Sequence, residues 1–469
     1  MITPLILVID QGTHSTRTLA FDAIGQVQAT ASCKIALYGH GTAEVEQSAT
    51  EILQSVHQTL DEVLAHEAVH GREIKWAGLT TQRSSVVAWD RETGEPLAPL
   101  LSWQDRRVAE WLKPFADKEI QVKEKTGLRL SPHYGAGKLH WYLEHVPAVQ
   151  QAYRAKTLAF GPLASFLIYH LLADKALLID HVNASRTQLW DVNSRDWDTD
   201  LADMFGVPLA PLPRCCPIIH SYGRLTKANI PLTAVNGDQN SAIYSLGRPE
   251  PDTAIINIGT GAFILALTGN RLVKHETLLS GLASSQAHQA EYLLEGTVNG
   301  AASALTWAAQ QWKIPSLTDN LADWLATIEY PPVFVNTIGG LGSPWWKAGP
   351  KAHWLTEADF PAKTVAIIES IVFMLQANLQ TMVDAGITIN QIQVSGGLAN
   401  LDGLCQRLAN LTERPVYRPV QTEATARGMA WLASGQPDHW PRLGQGMHFQ
   451  PEPAIDLRTR YHQFMNYEL

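Results

Sequence analysis

Three short stretches carry residue types suited to phosphoryl transfer. The first is Asp10-Gln11-Gly12-Thr13-His14-Ser15-Thr16-Arg17, directly after the apolar run 5–9. A small residue such as Gly12 lets backbone N–H groups approach phosphate oxygens, and Thr13 adds a hydroxyl donor. Arg17 offers a positive charge to phosphate, and Asp10 offers a carboxylate that can hold Mg²⁺ directly or through water. The second stretch, Gly259-Thr260-Gly261, again follows an apolar run and precedes another. Between the two lies Gly237-Asp238-Gln239, whose carboxylate can accept the proton of an attacking hydroxyl. Taken singly, each has a plain reading: a polar β-turn, or a loop aspartate closing an Asx-turn. Taken together they are the ingredients of a phosphoryl-transfer site.

Weaker signals stand beside these. Gly396-Gly397 follows a short strand and opens a helix, and a helix N-terminus free of side chains suits a nucleotide. Close packing of helix on strand is the alternative. The polar clusters 81–85 and 101–107 follow strands and could hydrogen-bond and stack on a polyol, or could be surface loops. The 17 histidines show no pair at zinc spacing with a companion ligand, so zinc catalysis is unsupported.

The elements that must position these residues are those of an α/β protein. Residues 5–9 form a strand buried on both faces, 18–22 return after the turn, and 25–35 continue the meander. Ser48-Ala49-Thr50-Glu51 is a capping box, followed by Ile52, Val56, Leu60, Val63 and Leu64 at helical spacing. Residues 74–80 form the next strand and deliver Gln82 and Arg83 at its C-terminal end, where open α/β sheets bind ligands. The second half repeats the order, with a hairpin at 254–268, a long helix at 364–385 stopped by Gly386, a strand at 392–394 and helices at 402–411 and 423–433. Two copies of one plan imply two similar domains around a central cleft. Two prolines and several charges over 247–252 mark the boundary, giving domains 1–248 and 249–469.

Composition narrows the class. The chain has 469 residues, 45% hydrophobic and 17% charged, with a formal net charge of −9. That balance argues against a nucleic-acid or anionic-membrane partner. The apolar stretch 163–179 holds His170, Asp174 and Lys175 and is not a membrane span. Cys33, Cys215, Cys216 and Cys405 lack metal-ligand spacing and are expected as reduced thiols in a cytoplasmic protein. The N-terminus enters a strand at once, with no signal-peptide pattern. A homodimer is the default assembly for such an enzyme.

In order along nearly the whole chain, these motifs resemble the FGGY carbohydrate kinases, and most of all their glycerol kinase branch. Asp10-Gln11-Gly12-Thr13 with Arg17 resembles the first phosphate motif, and Gly259-Thr260-Gly261 with Phe263 the second. Gln82-Arg83, Trp89-Asp90, Glu92-Thr93-Gly94 and Ser102-Trp103-Gln104 resemble the substrate strand and loop. Asn183-Ala184-Ser185-Arg186 with Asp196-Trp197-Asp198 is close to a stretch common in glycerol kinases. Gly237-Asp238-Gln239 resembles the segment with the catalytic base, and Gly396-Gly397 and 423–428 the adenosine-side motifs.

The resemblance implies two ribonuclease H-like domains of the actin/hexokinase ATPase type, closing on ATP, Mg²⁺ and a small sugar or polyol. It implies Asp238 as base and Asp10 at the metal. Gly12, Thr13, His14, Arg17, Gly259, Thr260, Gly261, Gly396, Gly397 and Asn400 would lie on the ATP side. Arg83, Ser84, Trp103, His133, Gln239 and Phe263 would line the acceptor pocket. The chain departs from the branch where Ser84 replaces a glutamate that accepts from glycerol hydroxyls, and where His133 stands for a tyrosine. His14 replaces a small residue and Ala302 a glycine. These changes disfavour glycerol and leave room for a larger acceptor. The competing readings are a non-catalytic sensor and an actin-like ATPase on the same fold, or glycerol kinase proper. Retention of Asp10, Asp238 and both turns favours the kinase.

Overall fold

The computed structural model describes residues 4–41, 43–420 and 423–467. The chain forms two units. The first holds residues 1–249, 281–292 and 422–441, and the second holds 250–280, 293–421 and 442–469.

In the first unit the seven residues of strand Leu5–Gln11 are all buried. The strand runs antiparallel to Ser15–Phe21, with Asp10 opposite Arg17, and parallel to Ile74–Thr81, with Asp10 beside Thr80. Pro231–Gly237 lies parallel on the far side of Ile74–Thr81, pairing Gly237 with Thr81. Three parallel strands therefore end together. Their C-terminal ends carry Gln11 and Gly12, then Gln82 and Arg83, then Asp238. This is the edge where the twist and polarity of an open α/β sheet place ligands.

Helix Ala49–Ala65 packs on this sheet through Ile52, Val56, Leu60 and Val63. Its N-cap is half of the expected box. The Ser48 hydroxyl accepts from the Glu51 N–H at 3.1 Å, but the Glu51 carboxylate accepts from the Ala36 N–H at 3.0 Å instead of turning back. His66-Glu67-Ala68-Val69-His70 has the spelling of a zinc-helix motif. It lies in a turn beyond that helix, and no trio of His, Cys, Asp or Glu among the described residues could hold a metal ion.

A second, smaller sheet takes the order Tyr38–His40, Glu44–Gln47, Leu100–Leu101, Val86–Asp90, Leu158–Pro162. Helix Gly135–His145 covers it, and Leu139 and Tyr142 enter a core with Val86, Ala88, Leu101 and Phe160.

In the second unit Thr253–Ile258 pairs with Ala262–Gly269, setting Asn257 opposite Phe263, and runs parallel to Gln391–Ser395. Helix Phe360–Asp384 starts four residues before the expected 364, because Asp359 caps it by accepting from the Ala362 N–H at 2.9 Å. It is long and apolar enough to span a bilayer, but its apolar residues are buried in this unit's own core. The expected helix at Gly396-Gly397 is instead a 3₁₀ turn, Gly397–Asn400, and the α-helix starts at Asp402.

Two segments beyond residue 249 cluster with the first unit. Residues 281–292 belong with the first unit, where Leu282 O accepts from the Asn240 amide at 2.6 Å. Residues 422–441 also return to it. Met429 of helix Ala424–Ala433 lies against Gly78, where an added Cβ would meet its Cγ at 2.5 Å. The buried Arg427 guanidinium donates to the carbonyls of Ile24 (3.0 Å), Gly25 (3.0 Å), Pro441 (2.6 Å) and Ser245.

Candidate active site

Asp238 opens helix Asp238–Ala242 at the end of its strand, and its carboxylate is about one-third exposed. Arg83 approaches from the neighbouring strand end, with Nε 4.0 Å from the carboxylate. The rest of the Arg83 fork donates to Asn240 Oδ1 at 2.8 Å and to Gln239 Oε1. Gly237 is required here, since a Cβ would meet the Arg83 Cγ and Cδ at 2.6 Å. The short helix is seated from behind by Gly428, whose Cβ position is filled by the Ser241 carbonyl. Burial raises the Asp238 carboxyl above its ordinary value, opposed by Arg83 and the Gln239 N–H and reinforced by Asp10. A carboxylate with a raised pKa, steered by one cation and partly open to solvent, is suited to take a proton.

Asp10 lies on the buried strand, with its carboxylate against Arg17. Burial raises its carboxyl, and Arg17 pulls the other way. Arg17 also pairs with Glu423, at the start of the returning helix. Asp10 is therefore not the sole counter-charge of Arg17. The turn that follows is held by amides. Gln47 Nε2 donates to Thr13 O at 2.8 Å, and Gln82 Nε2 donates to Gln47 Oε1 at 2.9 Å. The Gly12 N–H donates to Ser15 O at 2.9 Å, and His14 is exposed beside it.

Trp103 and His133 adjoin this turn. The Trp103 indole N–H donates to Thr13 Oγ1 at 2.9 Å, and the ring meets His133 edge-on with centroids 5.5 Å apart. Burial, reinforced by Lys138, Arg186, Arg83 and Arg106, drives the His133 pKa well below its usual value, so the ring is neutral near pH 7. Ser84 has a left-handed backbone (φ 64°), and its buried hydroxyl oxygen has no partner in the structure.

The remaining expected residues lie in the second unit. Gly259, Thr260 and Gly261 form the hairpin turn, closed by the Gly259 N–H on Gly261 O at 2.8 Å. Its carbonyls cap helix Ala302–Trp312. Gly259 O accepts from the Ala302 N–H at 3.0 Å, and Thr260 O accepts from the Ser303 N–H at 3.1 Å. A Cβ at Gly261 would meet Val298 O at 2.8 Å, so this close approach demands glycine. Phe263 is partly buried on the returning strand. The two glycines of the later pair differ. Gly396 (φ 94°) is pressed on Ile258, where a Cβ would meet O at 2.6 Å, which is the close-packing reading. Gly397 faces open space, and Asn400 is exposed at the end of the 3₁₀ turn.

Residues 5–244 match the N-terminal domain, and residues 254–435 the C-terminal domain, of the FGGY family of carbohydrate kinases. The chain belongs to that family. It is an ATP-dependent kinase acting on a small sugar or polyol, on a two-domain fold of the actin/hexokinase ATPase type. Among its FGGY relatives is a protein of Alkalilimnicola ehrlichii named glycerol kinase, 35% identical with 92% of this chain and 89% of that protein covered. Another of that name, from Acinetobacter baylyi, is 34% identical over 91% of this chain and 89% of its own length. The solved structure of Plasmodium falciparum glycerol kinase with ADP superposes with a TM-score of 0.89 at 24% identity, covering 99% and 97% of the two chains.

Four residues that sequence reasoning did not single out support this candidate site. Gln47 and Asn240 bind the turn and the Arg83 fork, and Glu423 pairs with Arg17. Lys138 reaches the loops of Ser84, Ser102 and His133. Only Glu423 left a signal, as the first residue of the last quoted motif.

Proposed function

We propose that the protein transfers the γ-phosphoryl group of ATP to one hydroxyl of a small sugar or polyol, with Asp238 as general base. The acceptor hydroxyl gives its proton to the Asp238 carboxylate as its oxygen bonds the γ-phosphorus. The bond from that phosphorus to the β,γ-bridging oxygen breaks, and ADP leaves. The observation that carries this is the raised carboxyl of Asp238 beside Arg83, at the joint end of three parallel strands. In the first unit Arg83, Ser84, Trp103, His133 and Gln239 would take the acceptor, and Thr13 and Arg17 the phosphates. In the second unit Phe263 would serve the acceptor, Thr260 and Gly261 the phosphates, and the open space at Gly397 the rest of the nucleotide.

Asp10 fits a magnesium ion. Mg²⁺ keeps several waters and takes one or two carboxylates plus substrate phosphates, so a single buried carboxylate suits it without a trio of protein ligands, and no such trio is found among the described residues. When bound, the ion neutralises phosphate charge. Were Asp10 to hold the ion, Glu423 would remain as a partner for Arg17.

A second reading, glycerol as the acceptor, is favoured by the names of the relatives at 34% and 35% identity. Ser84 argues against it, because a neutral hydroxyl replaces the carboxylate that would accept from glycerol. The reading is of a cytoplasmic protein without membrane or nucleic-acid partners, for which a homodimer is the default assembly. An ADP-coupled assay over polyols, ketoses and aldoses tests the function. One acceptor is expected to be used well and glycerol poorly. Efficient turnover of glycerol selects the second reading, and no turnover of any acceptor removes both.

A further inference from the structure

We propose that Lys138 is a positioning residue for the acceptor, its ammonium tying together the three loops that carry Ser84, Trp103 and His133. This rests on the acceptor pocket proposed above. The Lys138 side chain is fully buried, and its Nζ donates to Ser84 O at 3.1 Å, Ser102 O at 2.7 Å and His133 O at 2.9 Å. An ammonium has three N–H donors, and three carbonyls from three separate loops take them. Each of these carbonyls belongs to an acceptor-side residue or, at Ser102, to the neighbour of one.

The helix is built to hold this group in place. Gly135 and Gly137 let it approach closely, since a Cβ at Gly137 would meet Val108 at 2.9 Å and one at Gly135 would meet Thr187 Cα at 3.1 Å. Its first N–H groups donate to Arg186 O at 3.2 Å and Thr187 O at 2.6 Å. One turn on, Tyr142 lies on the same face as Lys138. Its hydroxyl accepts from the Leu101 N–H at 3.1 Å and donates to Pro99 O at 2.6 Å, on the strands that lead to the same loops. Tyr142 fixes the strands, and Lys138 fixes their ends.

A buried cation whose contacts are all carbonyls is an expensive filler, because an apolar side chain of similar length would occupy the space without the desolvation cost. The charge has a use if the loops must be gathered. Burial lowers the Lys138 pKa to about 7, with Asp105 opposing and Arg106 and Arg107 reinforcing. Asp105 is itself held by Arg107, and the neutral His133 is the other titratable group at hand. Loss of the proton leaves two donors for three carbonyls, so one loop is released.

The test is Lys138→Met in the full chain, which keeps the stem and removes the donors. Hydrogen exchange without ligand is read at 84–85, 102–104 and 131–134, alongside the KM values for ATP and for the preferred acceptor. We expect exchange in all three loops to rise together. The acceptor KM should rise roughly tenfold or more, as for losing hydrogen bonds to a charged group, with the ATP KM unchanged. Unchanged exchange in the loops, or KM values rising in step, overturns the proposal. If the variant does not fold, the unmodified protein is compared at roughly pH 6 and pH 8.5, either side of the Lys138 pKa of about 7. Protection of one of the three loops, relative to helix Phe360–Asp384, should fall at the higher pH, and constant relative protection of all three overturns the proposal. If the unmodified protein phosphorylates nothing, the kinase reading fails, and the exchange data alone decide the role of Lys138.

Discussion

The hairpins at 5–21 and 253–269 are built alike, each a buried strand that turns through a short polar loop and returns antiparallel. Their turns are nevertheless held in opposite ways. The first is held by side chains: Asp10, Arg17 and Glu423 as a charge network, and Gln47 and Gln82 as an amide chain. The second is held by backbone, its carbonyls capping a helix and its last glycine pressed on Val298. A charged turn can answer changes in charge at its ligand by exchanging partners. A backbone-held turn offers a fixed shape. Repeating a fold plan thus leaves its chemistry to a few residues at the tip.

The sharpest break of this contrast is at the charged end. Asp238→Asn should keep the fold and lower kcat by roughly 10²–10⁴-fold, the span for losing a general base. Near-normal turnover of the amide would remove Asp238 from the chemistry and leave the first unit a binding surface only. Next in size is the acceptor pocket. Ser84→Glu restores a charged acceptor worth roughly 1.5–3 kcal/mol and should lower the KM for glycerol by about one to two decades. An unchanged glycerol KM would mean that pocket shape, not charge, selects the acceptor.

Glycine substitutions compare the two turns directly. Gly261→Ala forces a Cβ to 2.8 Å from Val298 O and should cost about 1–3 kcal/mol in urea unfolding. Gly12→Ala, whose Cβ would sit 3.4 Å from Ser15 O, should stay within about 0.5 kcal/mol. Equal losses would erase the distinction between a turn held by backbone and one held by side chains.

The smallest expected effect is in pH. The Asp238 carboxyl is raised in the folded state, so it binds its proton more tightly there than in the unfolded chain. Its contribution to stability is complete below the unfolded value of 3.8 and is lost as pH rises through the folded value. Asp238→Asn should therefore unfold slightly later than the parent at neutral pH, measured by thermal melts. In the parent, kcat/KM should fall on the acid side with a midpoint above pH 3.8, since the base must be ionised. A lower Tm for the amide variant would contradict this sign.

The strands and turns were legible because their signals are local. Buried runs such as Leu5–Gln11 are continuous, and glycines mark the tips. The candidate residues Asp10, Arg17, Arg83 and Asp238 stood out by type, since charge beside a strand end is unusual. Their partners did not. Glu423 meets Arg17 across 406 positions and Asn240 meets Arg83 across 157, and no spacing rule reaches so far. Helix Gly135–His145 carried no expectation, since two glycines in its first turn weaken the local helix signal. Those glycines allow the close approach that brings Lys138 to its carbonyls. Gly396 shows the converse limit, since one residue type serves a ligand or a packing contact, and only the neighbour at Ile258 decides.

The segment 422–441 has a consequence for how the protein is made. It supplies Met429 beneath Gly78, Gly428 behind the Asp238 helix and Arg427 to the carbonyls of Ile24, Gly25 and Ser245 in the rest of the first unit. During synthesis the first unit therefore waits, lacking its closing helix, while nearly all of the second unit is translated. The helix that seats the proposed base is backed only after residue 441 has left the ribosome, so a prematurely terminated chain carries Asp238 without the support that aims it.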